Sequence, residues 1–389
     1  MNSRERILAT LEHKAPDRVP LDLAGSHVTG IHKIAYENLC AKLDMNADAS
    51  FADDIQQVVI PSEEVLNKLE VDTRGLYPLC SHNWNVKGKD VGEMLEHLDE
   101  WGLTQHLPKN DGFWWSMVGS PMDAPMIETS QIDDFTWPNP CLPERIAGLR
   151  EQAIKHREAG KIVMMKGLCA GVFEMGQRIR GMENFLCDLL ADPDVACKLM
   201  DKILELKIQF WDMALTELGD VVDIVVESDD YGTQASQLVS PDTFRELIKP
   251  RVAELISSIK DKFTETKKDG EKGYFFFHSC GNVRSILPDF IEIGVDILNP
   301  VHISATGMNP VELKRDFGKD VTFWGGGIET QNILPNGTPE EIKEDVKRNL
   351  DALMPGGGYV FNTVHNIQAE IPPENVMAMY EALREFGKY

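Results

Sequence analysis

His278 and Cys280, one residue apart in His278-Ser279-Cys280-Gly281, pair a borderline nitrogen ligand with a soft sulfur ligand. Where a chain leaves a β-strand, both can turn toward one point and bind zinc, and Gly281 permits the tight turn this needs. The H-x-C pair is a weak signal alone, and its position strengthens it. A second apolar run ends in Glu227-Ser228-Asp229-Asp230, and the last run ends in Asn362-Thr363-Val364-His365. If these runs are strands of one barrel, carboxylate, imidazole and thiolate converge on one mouth. His365 is then a third metal ligand or a substrate contact. Glu227 and Asp229, which strand alternation points the same way, compete for a fourth ligand position or for the shell behind the metal.

Other residues have two readings each. Glu174 and Arg178, in GVFEMGQRIRG, contact substrate or open a surface helix. Tyr231 and Trp324 stack on an aromatic substrate or pack in the core. Asn299 and Asn362, at strand ends, are further candidates for substrate contact. Cys80 and His82 repeat the one-residue spacing in reverse order, but in a polar segment, and read as structural. Gly325-Gly326-Gly327 and Gly356-Gly357-Gly358 match neither a P-loop nor a dinucleotide fingerprint and read as tight turns.

Eight short apolar, β-branched runs must position these groups: residues 18–23, 71–76, 162–167, 222–229, 274–279, 295–301, 321–325 and 358–364. Longer segments with helical spacing separate most of them, the pattern of a parallel sheet, and eight strands close the commonest α/β barrel. The helices carry start and stop signals. Val195, Leu199, Ile203, Leu206, Phe210 and Met213 step by three and four between Asp192-Pro193 and Gly219. Asn309-Pro310 opens a helix that ends at Gly318, and Thr338-Pro339-Glu340-Glu341 is a capping box. The fold expected is a single (β/α)8 TIM barrel over residues 1–389, with an extra N-terminal helix and an insertion at about 77–160. That insertion holds most of the tryptophans and a hairpin around HLPKNDGFWWSMVG; it reads as a lid, a partner surface or a buttress.

With 389 residues, 42% of them hydrophobic and 26% charged, the chain can bury a sizeable core. Its net charge of -24 repels phosphate backbones and anionic membranes, so nucleic acid is excluded as a partner class. Seven scattered cysteines offer no disulfide framework, no apolar stretch is long enough to span a membrane, and the N-terminus lacks a signal-peptide core. A cytoplasmic protein is expected.

Four collinear stretches carry a resemblance: NSRERILATLEHKAPDRVPLDL at the start, HSCGN in the middle, then FWGGGIETQNILPNGTPEEI, and GGGYVFNTVHNIQAEIPPENV at the end. Together they resemble the uroporphyrinogen decarboxylase superfamily over nearly the whole chain. The decarboxylases carry an arginine-bearing motif after the first strand, where this chain has Asp22-Leu23-Ala24-Gly25-Ser26-His27, a departure that argues against a porphyrinogen substrate. The methylcobamide:coenzyme M methyltransferases bind zinc through an H-x-C pair that His278 and Cys280 match. Their third ligand is a cysteine, whereas the closing motif here offers His365.

The resemblance therefore implies Zn2+, and a corrinoid (cobalamin) carried by a separate corrinoid protein, since no D-x-H-x-x-G cobalamin signature occurs. Replacing a thiolate by neutral imidazole leaves the metal a stronger Lewis acid, suited to polarising the oxygen of a methyl ether. The expected activity is methyl transfer from a small methylated substrate to the corrinoid, with Glu227, Asp229 or His365 orienting a ligand or managing a proton. The alternatives are a thiol-methylating enzyme, a metal-independent decarboxylase using His365 and Asp229, and a silent corrinoid-protein binder. A homodimer is compatible with such a barrel, although no residue specifies it.

Overall fold

Seven parallel strands follow one another around the sheet: β1 (Thr73–Leu76), β2 (Ile162–Lys166), β3 (Ile224–Ser228), β4 (Tyr274–His278), β5 (Ile297–Asn299), β6 (Thr322–Trp324) and β7 (Tyr359–Val360). They are rich in β-branched and aromatic residues that fit a pleated surface buried on both sides. The structure, a computed structural model, describes residues 1–389. Residues 18–23 occupy the eighth position without forming a regular strand. Leu21 bridges Phe361 in parallel; Asp22 N donates to Phe361 O at 2.9 Å, and Asp72 N donates to Leu21 O at 2.9 Å. Pro20 has no N–H for a ladder, and the Leu21 N–H is taken by the Asp72 carboxylate at 2.9 Å. The chain is thus a (β/α)8 barrel whose last seam is held partly by a side chain.

Alternation sorts the strand residues into two layers. Ile162, Met164, Ile224, Val226, Tyr274, Phe276, Ile297 and Trp324 pack together inside the barrel. Val163, Met165, Val225, Phe275, Phe277 and Leu298 join the larger core between sheet and helices. This parity decides which side chains reach the mouth. The N-terminal helix α1 (Ser3–Leu11) starts with a capping box between Asn2 and Glu5 and adds Ile7 and Leu11 to the interior cluster, closing the barrel's lower end. Helix α2 (Val172–Arg180) follows β2. Helix α3 (Pro193–Leu218) ends at Gly219, and α4 (Pro339–Leu353) opens on the Thr338–Glu341 capping box.

Between β1 and β2 lies a four-stranded antiparallel sheet of Lys89–Val91, Met94–Leu98, Thr104–Pro108 and Ser116–Gly119, two short helices and the helix Leu149–Glu158 that precedes β2. Trp101 is fully buried there, whereas Trp114 is about half exposed. A small sheet of Ile31–His32, Ser50–Asp53 and Val58–Ile60 stands beside it. Trp115 N donates to Ile55 O at 2.8 Å, and His32 Nε2 lies 2.9 Å from Phe113 O, tying the two together. No helix is long and apolar enough to cross a membrane.

Candidate functional site

β4 carries His278 on its inward face, in step with Tyr274 and Phe276, and the chain then turns at Gly281. Gly281 has φ +84°, and a Cβ there would lie 2.5 Å from the Gly232 backbone, so glycine is required for this turn. The turn brings Cys280 Sγ to 3.4 Å from His278 Nε2. His365, beyond β7, completes a group in which the ligand atoms of His278, Cys280 and His365 all lie within 4.8 Å of one another.

The surroundings prepare these atoms. Asn299, fully buried at the end of β5, donates through Nδ2 to Trp324 O at 2.9 Å, which turns its Oδ1 onto His278 Nδ1 at 2.5 Å. A carbonyl oxygen only accepts, so Nδ1 donates to it and Nε2 is the nitrogen turned toward the cluster. Burial, with the neighbouring His278 and His302 rings, holds His365 down at about 3, so that imidazole is neutral. Burial and the carboxylates of Asp230 and Glu174 push the Cys280 thiol well above its ordinary value. Only a cation beside it would make the thiolate favourable. Asp230 accepts from Cys280 N at 2.7 Å and lies 3.8 Å from His278 Nε2.

This donor set fits zinc. Bond lengths of ~2.0 Å to nitrogen and ~2.3 Å to sulfur place the ligand atoms of a tetrahedron about 3.3 to 3.6 Å apart. The His278–Cys280 pair already has that spacing, which leaves a fourth position for a substrate atom. Beside the cluster is a cavity of about 170 Å³ lined by His278, His365, Asp230, Ser228, Lys166, Glu174, Arg178, His82, His27 and Gln56, with Val28, Leu168, Cys169 and Ala170.

Several side chains expected at the mouth point elsewhere. Glu227 faces outward to the helices, where Oε2 lies 2.7 Å from Lys207 Nζ and Oε1 accepts from Trp211 Nε1 at 2.6 Å. Asp229, on the same face, accepts from Phe173 N, Glu174 N and Tyr231 Oη at 3.1, 2.7 and 2.7 Å and caps α2. Burial raises its carboxyl to about 7 against those three donors. On β3 the inward parity belongs to Ile224, Val226 and Ser228, and it continues to Asp230. Alternation does give Glu227 and Asp229 a common direction, which is away from the site. Tyr231 is fully buried against Phe173, Phe244, Phe277 and Phe290. Trp324 lies inside the barrel, donating to Asp22 Oδ2 at 2.8 Å, and Asn362 donates to Asp22 O at 3.0 Å. Neither faces the cavity, and Asn299 serves His278 instead of a substrate.

Glu174 and Arg178 do line the cavity, paired to each other at 2.5 Å. So does His82, which the sequence suggests is structural. Its Nδ1 lies 3.0 Å from Asp53 Oδ2, and its Nε2 lies 3.4 Å from Arg178 Nη1. Sequence reasoning missed Lys166, Asp230, His27 and Gln56. Lys166 had a visible signal, a lysine closing the apolar run IVMMK with the inward parity of Ile162 and Met164.

A parallel eight-position barrel with a nitrogen and sulfur cluster at the C-terminal end of its strands defines a class of barrel enzyme. Residues 116–386 match the family described as uroporphyrinogen decarboxylase (URO-D), and the chain belongs to that family. Its relatives are enzymes of two kinds. The methylated-thiol–coenzyme M methyltransferase of Methanosarcina mazei is 22% identical over 340 residues, covering 82% of this chain and 84% of its own. The methylcobamide:CoM methyltransferase MtaA of Methanosarcina barkeri is 23% identical, covering 98% of both chains. A uroporphyrinogen decarboxylase of Geobacter sulfurreducens is 22% identical over 69% of this chain and 74% of its own. Among solved structures, a methyltransferase from Methanosarcina mazei superposes with a TM-score of 0.65 at 17% identity, covering 99% of each chain, which establishes the shared fold.

Proposed function

We propose that this protein is a zinc-dependent methyltransferase that moves a methyl group between a small methylated substrate, a methyl ether or similar compound, and a corrinoid carried by a partner protein. The observation that carries the proposal is the convergence of His278 Nε2, Cys280 Sγ and His365 within 4.8 Å, beside a cavity. Zinc bound there would supply Lewis-acid polarisation of the oxygen that bears the methyl group. One thiolate and two neutral imidazoles leave such a centre a net positive charge, which suits an oxygen leaving group more than activation of a thiol.

The chain's own residues prepare that chemistry. Asn299 fixes the His278 tautomer, Asp230 holds the backbone N–H of Cys280, and Val28, Leu168 and Ala170 make the apolar part of the cavity wall. Cavity size suits a small substrate: a cavity of ~150 Å³ holds one benzene molecule, so about 170 Å³ accommodates one ring. The names of the methyltransferase relatives, which cover 82% and 98% of this chain, support the same reading.

The test is the metal content of purified protein beside Cys280→Ala after identical handling, followed by methyl transfer from methyl ethers to added cob(I)alamin. About one zinc per chain, lost in the variant, is expected. Protein without zinc after growth in zinc-supplemented medium would overturn the proposal.

A further inference from the structure

Lys166 ends β2 with its side chain in the cavity and is almost wholly buried, yet its only polar contact is with Cys80 Sγ at 3.4 Å. Lys207, equally buried but behind the sheet, has the Glu227 carboxylate at 2.7 Å and two backbone carbonyls at 3.0 Å. A buried ammonium is best satisfied by an anion bonded to it, and a thiol is a weak acceptor in that place. Asp230, which also lines the cavity, accepts from Cys280 N, and the other nearby carboxylates are taken as well. Glu174 is paired with Arg178, and Asp53 with His82. His27 Nδ1, also buried and part of a cavity-lining residue, has no hydrogen-bond partner. The end of the cavity lined by Lys166, Arg178, His82 and His27 thus holds an ammonium with no carboxylate bonded to it, beside a His27 imidazole that burial and Lys166 hold well below its ordinary pKa.

We propose that this end binds a carboxylate on the substrate, so that the methyl donor is a methoxylated carboxylic acid of about one ring. The identity of its reacting end rests on the methyl-transfer reading above; the anion site stands on Lys166 alone. Register supports the span. Val226 pairs with Lys166, and Ser228 with His278, so Lys166 sits two strands from His278 and one inward-facing layer deeper. Two inter-strand steps separate their backbones by roughly 10 Å. A ring with a methoxy group at one end and a carboxylate at the other fits between side chains reaching in from both.

The experiment is calorimetric titration of zinc-loaded protein with 4-methoxybenzoate and with its neutral methyl ester, using wild type, Lys166→Met and Lys166→Arg, with zinc measured in each sample. Wild type is expected to bind the acid at least about 10-fold more tightly than the ester. Lys166→Met should weaken binding of the acid by about 10- to 100-fold and leave the ester unchanged, with Lys166→Arg restoring part of the loss. Equal binding of acid and ester by wild type overturns the proposal without any variant, as does acid binding that Lys166→Met leaves intact. Acid-selective binding by protein that takes up no zinc would retain the anion site and reject the metal-dependent reading, so the two fail separately.

Discussion

Removing the Lys207 charge tests whether Glu227 is a structural anion or a catalytic one. Lys207 and Glu227 are both essentially inaccessible, with Nζ and Oε2 2.7 Å apart. The ammonium also donates to the carbonyls of Cys169 and Ala170 at 3.0 Å, in the segment that leads from β2 into α2 and lines the cavity. Breaking a buried pair by deleting one partner costs about 3–5 kcal/mol, because the remaining charge stays buried without compensation. Unfolding entropy scales with length, so a chain of 389 residues should translate that loss into a fall in Tm of about 4 to 6 °C for Lys207→Met. Lys207→Met/Glu227→Gln removes both charges and leaves Trp211 Nε1 an amide oxygen to donate to, so at least half of the loss should return. Differential scanning calorimetry of wild type, both single variants and the double variant completes the cycle. A Lys207→Met protein within about 1 °C of wild type, or a double variant showing no coupling, would refute the assignment of Glu227 to the structure.

Three further outcomes follow from the site and its supports. Asn299→Ala, which removes the acceptor behind His278 Nδ1, should lower zinc affinity by about 10- to 100-fold with the fold retained, read by competition with a chelator. Gly281→Ala forces a side chain onto φ +84° and against the Gly232 backbone, so it should reduce zinc occupancy by displacing Cys280, measured by metal analysis of folded protein. Burial, aided by Arg157 and Arg4, lowers Lys267 from 10.5 to about 8 against the pull of Asp223 and Glu271. The folded state therefore binds fewer protons between those values, and wild type should gain stability relative to Lys267→Met as pH rises from about 8 toward 10.5. The gain should be up to about 3 kcal/mol, followed by urea denaturation across that range.

What the sequence revealed, and where it stopped, comes down to parity and pairing. The eight runs were legible because β-branched and aromatic clusters are local, and the capping box at Thr338 and the stop at Gly219 were legible for the same reason. The side of the sheet each residue faces was not. Ile224, Val225 and Val226 are all apolar because both faces of a parallel barrel are buried, so β3 carries no alternating signal to say whether Glu227 or Ser228 looks inward. That is fixed by the partner strand. Ser228 pairs with His278, which puts Ser228 and then Asp230 at the mouth and turns Glu227 and Asp229 to the helices, where Lys207 and the start of α2 receive them. The same rule read forward from the interior cluster places Lys166 in the cavity, since it continues Ile162 and Met164. A polar residue ending a fully apolar strand is therefore informative only once one neighbour of known direction is fixed. Here His278 supplies that direction for the whole mouth, and His82 and Gln56, which arrive on loops with no periodicity at all, lie beyond its reach.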